Sequence, residues 1–125
     1  MRPLLLALAT LQFLNGLLML TAPQFWYGAV PGVTETGPFN SHFVRDIGLG
    51  FLSAGCALGM AGWYTAMARP LVAVASIFLL GHALLHLAEM VLHGTSPGHA
   101  ARDLALIVVP ALLPLAVFMR RTSHA

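Results

Sequence analysis

Charge is what this sequence has least of. Only 8% of its 125 residues are charged, against about a quarter in a soluble domain. Lysine is missing altogether, so six arginines supply the whole positive charge. They are scattered, so an electrostatic nucleic-acid surface is not indicated. A single cysteine, Cys56, excludes an internal disulfide. No Gly-x-Ser-x-Gly turn, phosphate loop or dinucleotide fingerprint occurs, so enzymatic chemistry has thin support in these motifs. With 58% hydrophobic residues, no soluble core of this size could hide its apolar surface. The bilayer is left as the solvent.

What is present is long apolar runs. A membrane-crossing helix needs about 20 apolar residues, and four segments supply them: 3–21, 42–66, 70–92 and 98–119. The first run lacks a small-x-small cleavage site and reads as a retained helix rather than a leader. The expected fold is all-α, a single integral membrane four-helix bundle covering 1–125. Arg2, Arg69, Arg120 and Arg121 fall on one side of the spans, Arg45 and Arg102 on the other. The excess of arginine places both termini in the cytoplasm. Phe25, Trp26, Tyr27 and Phe39 suit one interfacial aromatic belt, Trp63 and Tyr64 the opposite one.

The pattern His-x-x-Arg-Asp occurs twice, as His42 to Asp46 and His99 to Asp103, each time opening an apolar run. The repetition suggests two duplicated helical hairpins related by an axis along the membrane normal. Asn40 or Ser41 can cap the second span, and Ser96 before Pro97 reads as the cap of the fourth. Pro110 and Pro114 free backbone carbonyls inside that last span and predict a kink.

Helical spacing sorts the second span into faces. Gly48, Gly55, Gly59 and Gly62 form one stripe that lets helix backbones approach. Internal packing is the plain reading of it; contact with another chain is the other. His42, Arg45, Asp46, Ser53 and Cys56 lie roughly 110° round the same helix, and this face is expected to look into the bundle. In the third span His82, His86, Glu89 and His93 share a stripe, with His82 roughly 16 Å deeper than His93.

Two accounts of these polar groups compete. In the first, Arg45 pairs with Asp103 and Arg102 with Asp46, reciprocal ion pairs that clamp the helices, because a charge beside lipid needs a partner. In the second, His42, Asp46, His86, Glu89, His99 and Asp103 line a pocket open to the outer side, with His82, His93 and Cys56 as further ligands. Imidazole with carboxylate suits copper or zinc, in an accessory protein. Bis-histidine haem needs two histidines on facing helices at one depth. A proton relay along the histidines finds only Gln12, Asn15 and Ser76 in the inner half. Expected partners are the lipid bilayer and either another membrane protein or a second copy.

The opening Asn15-Gly16-Leu17-Leu18, the helix end Leu20-Thr21-Ala22-Pro23 and the glycine-rich second helix make the first hairpin resemble the small bacterial DoxX-like four-helix membrane proteins. The resemblance covers roughly the first half of the chain. It implies a bacterial inner-membrane protein, an accessory to a redox complex, and it supplies no catalytic residues.

Overall fold

The computed structural model describes residues 1–119. Arg120 and Arg121, which enter the arginine argument above, lie outside the described residues. The protein is all-helical, with no strand among the described residues. The helices are α1 (Arg2–Thr21), α2 (Pro23–Ala29), α3 (Ser41–Trp63), α4 (Ala68–His93) and the composite α5 (Pro97–Met119). All but α2 are long and apolar enough to cross a membrane.

Boundaries follow local chemistry. The Asn40 side chain accepts from the Phe43 N–H at 3.1 Å, and Ser96 Oγ accepts from the His99 N–H at 3.3 Å. Both relieve donors orphaned at a helix start. Pro70 falls in the first turn of α4, where its missing N–H costs nothing. The segment between the first two spans holds α2 and a 3-10 turn at Val33–Glu35. Its aromatics act as fasteners: Trp26 Nε1 donates to Asn15 Oδ1 at 2.8 Å, and the Tyr27 hydroxyl donates to the Gly37 carbonyl at 2.6 Å. A loop tied by these bonds therefore covers one end of the bundle.

α1 and α3 make the closest pair, and glycine is the cause. A Cβ on Gly16 would lie 2.6 Å from the Gly48 carbonyl oxygen and from the Leu52 nitrogen. One on Gly55 would lie 2.6 Å from the Phe13 nitrogen, and one on Gly62 2.9 Å from Leu6 Cδ2. Gly48 fits against Met19, while Gly59 is only in ordinary contact with Ala9. α4 packs on the adjoining face of α3, where Gly50 makes room for the Phe78 ring. α5 lies chiefly on α4. One core joins all four long helices, with Leu5, Leu58 and Val72 completely enclosed.

The two prolines shape α5. Pro110 has no N–H to offer and its ring crowds the preceding turn, so the helix widens ahead of it. Leu104–Val108 is π-helical, and the Val109 N–H reaches back to the Leu104 carbonyl. Around Pro114 the chain tightens instead into a 3-10 turn, Leu113–Leu115. The expected kink is thus taken up as one wide and one tight turn.

The glycine contacts carry a stability prediction. Gly55→Ala sets a methyl against backbone that cannot yield, so it should lower stability by about 1–3 kcal/mol. Gly81, with nothing within 4 Å, should tolerate alanine and gain about 0.5–1 kcal/mol from helix propensity. Unfolding in detergent followed by circular dichroism measures both.

Candidate functional site

The polar groups gather at the end of the bundle covered by the 22–40 segment. His86 on α4 and Asp103 on α5 meet there, Nδ1 to Oδ2, at 3.1 Å. An ionised carboxylate only accepts, so in this contact Nδ1 is the donor. The other carboxylate oxygen accepts from Arg102 Nε at 2.8 Å. Asp103 is 15% exposed, Arg102 24% and His86 26%. The three form a half-buried, charge-assisted network of the strong kind. It sits where α5 begins its π-helical stretch, so the wide turn follows directly on Asp103.

The covering segment completes this site. Gly32 adopts φ +86°, and any Cβ there would collide with the Arg102 guanidinium. Glycine is required twice over, for its left-handed backbone and for its lack of a side chain. Three residues on, Glu35 faces His99 Nδ1 at 3.5 Å, both about half exposed. Below His86, the His82 ring makes an edge contact with it at 4.8 Å between centroids. His82 in turn stacks on Phe78 at 5.9 Å and meets Phe51 edge-on at 5.2 Å. The titratable string therefore ends on two phenylalanine rings.

The six residues expected to converge do not. His86 and Asp103 are brought together, but His99 turns to Glu35, and Glu89 and His93 lie exposed on α4. His42 and Asp46 pair only with each other along α3, at 3.3 Å, with side chains 89% and 55% exposed. Among the described residues no three His, Cys, Asp or Glu side chains gather closely enough to hold a metal ion. The reciprocal clamp is also absent as drawn. Arg45 donates to the Leu20 carbonyl at 3.2 Å, and Arg102 serves its own neighbour Asp103.

The cause is the rotation of α3. Measured from Gly48 at 100° per residue, α1 takes the sector near Gly48, Gly55 and Gly62, and α4 takes the next, near Gly50, Phe51 and Ala54. His42, Arg45, Asp46, Ser53 and Cys56 occupy the sector that neither helix covers, and all five are exposed. The face expected to look inward looks outward. α4 also stands between α3 and α5, so Asp46 and Asp103 are on helices that are not packed together.

Gly32, Glu35, Phe51 and Phe78 were not among the expected site residues. The Pro31-Gly32 turn signal marks a tight bend, and Glu35 is one of only four acids, but neither reveals which helix mouth the bend covers. Comparison with family models, curated proteins and solved structures returned no match.

A double-mutant cycle separates the two motif copies. His86→Ala with Asp103→Asn should show a coupling of about 1–3 kcal/mol, as contacting, partly buried partners do. The exposed His42–Asp46 pair should couple by under about 0.5 kcal/mol. Chemical unfolding in detergent reads both values.

Proposed function

We propose that the chain is a multi-pass membrane protein, crossing the bilayer four times, that acts as a non-catalytic accessory subunit. The observation that carries this reading is the enclosure of Asp103, with Arg102 on one carboxylate oxygen and a histidine of the neighbouring helix on the other. A charge partnered in this way locks α4 to α5 at the helix mouth, and losing one partner strands the rest of the network. The concentration of ionisable groups at one end supports placing that end outside, with both termini in the cytoplasm, as the arginine asymmetry expects. The two His-x-x-Arg-Asp copies support a duplicated hairpin. The likeness of the first hairpin to DoxX-like proteins supports a bacterial inner membrane and a redox complex as the partner.

One observation favours a second reading. A carboxylate on the Nδ1 proton is how metal-ligating histidines are oriented, and His86 has that arrangement with His82 beside it. Asp103 would then orient a ligand rather than be one. The two imidazoles fit a copper ion of low coordination number better than zinc, whose sites use three or four protein ligands. Haem fits less well, because His82 and His86 stand on one helix instead of facing each other across a macrocycle.

Elemental analysis of detergent-purified protein decides between the readings. The accessory-lock reading expects no stoichiometric metal, together with a lower unfolding midpoint in Asp103→Asn that is indifferent to chelator. One copper per chain, lost in His82→Ala/His86→Ala, would replace it with the second reading.

A further inference from the structure

Among the described residues α3 leaves one face uncovered, and its composition differs from that of an aliphatic coat. His42, Asp46, Leu49, Ser53, Cys56 and Met60 follow one another at alternating steps of four and three, ending at Trp63, and every one is exposed. The uncovered residues of α4 include Val74, Ile77, Leu84, Leu85 and Val91, a mainly aliphatic coat that turns polar only at its end, with Glu89 and His93. The α3 stripe has one aliphatic residue among polar, small and sulfur-bearing ones. Its four-three spacing is that of a helix-pairing seam. Small polar residues such as Ser53 let membrane helices approach, and methionine adapts to whatever faces it.

The motif copies make the same point. Asp103 is satisfied within the chain by Arg102 and His86. Asp46, at the equivalent position, has only His42 of its own helix and stays more than half exposed. What α4 supplies to the second copy, no other helix among the described residues supplies to the first.

We propose that α3 is the contact helix of a symmetric dimer, two copies meeting along Asp46, Leu49, Ser53, Cys56 and Met60. This rests on the membrane insertion proposed above, which forces identically inserted copies to present α3 in the same direction. Arg45 and Asp46 stand on opposite flanks of the seam, roughly 100° apart. In a same-direction pair each flank meets the opposite flank of the other helix. Arg45 of each copy then faces Asp46 of the other, and the charges of the seam complement themselves. A lipid coat or an unrelated helix would gain nothing from that arrangement.

Cys56 provides the test, since it is the only cysteine and lies on the seam. Oxidative cross-linking of the full chain in native membrane vesicles should yield a covalent dimer that Cys56→Ser abolishes. In the Cys56→Ser background, Leu49→Cys should restore the dimer and Ile77→Cys should not. Asp46→Arg should cut the cross-linked fraction roughly tenfold, and the swap Arg45→Asp/Asp46→Arg should restore it. Retention in the membrane after alkaline carbonate, with no cross-link at position 49 or 56, overturns the pairing alone. A cross-link only to a different protein overturns the choice of a second copy. Release by carbonate overturns the insertion reading, and this pairing with it.

Discussion

The backbone-to-backbone contact of α1 with α3 sets the rest of the structure. Gly16 meets the Gly48 carbonyl and Leu52, and Gly55 meets Phe13, at separations that leave no room for a side chain. Such an approach gathers many weak dispersion contacts at once, and it admits very little rotation of either helix about its axis. With α3 held in that orientation, Gly50 and Ala54 present the surface on which Phe78 and α4 settle. The remaining sector, with His42, Arg45, Asp46, Ser53 and Cys56, is left outside. Which polar groups are enclosed and which exposed therefore follows from glycines that touch none of them.

The second half of the chain is assembled by another means. α4 and α5 share no glycine seam. α5 bends to fit, its backbone widening ahead of Pro110 and tightening around Pro114. The polar contact between the two helices is the His86–Asp103 bond, beneath a loop whose Gly32 lies against Arg102. Close packing between α1 and α3 and a charge network between α4 and α5 are different answers to one requirement. For helices in lipid, as proposed for this chain, there is little hydrophobic drive between them, so shape and hydrogen bonding decide how they associate.

The two His-x-x-Arg-Asp segments show how far a motif depends on its surroundings. Their residues match at His, Arg and Asp, and both start a long helix behind an Asn or Ser cap. Yet in one the carboxylate is enclosed by an arginine and a histidine, while in the other it faces out of the molecule. The histidines divide in the same way: His86 and His82 form a half-buried pair, His82 lying against two phenylalanine rings, and His42, His93 and His99 are exposed. A shared pocket of all these groups, which the helical spacing invites, needs three helices turned inward together. Only α4 and α5 are turned so.

Taken alone, the sequence determined what depends on neighbours along the chain. That covers the number and apolarity of the long helices, the Asn40 and Ser96 caps, the disturbance at Pro110 and Pro114, and which residues share a face of α3 or α4. Each of these arises from interactions within a few residues, where composition and spacing suffice. The tertiary structure decided where those faces point. It directed the α3 polar stripe outward, placed α4 between α3 and α5, and closed the Gly32 bend onto Arg102. A helical period records the angles between residues of one helix, but the rotation of that helix against its neighbours is set by contacts between segments far apart in the chain.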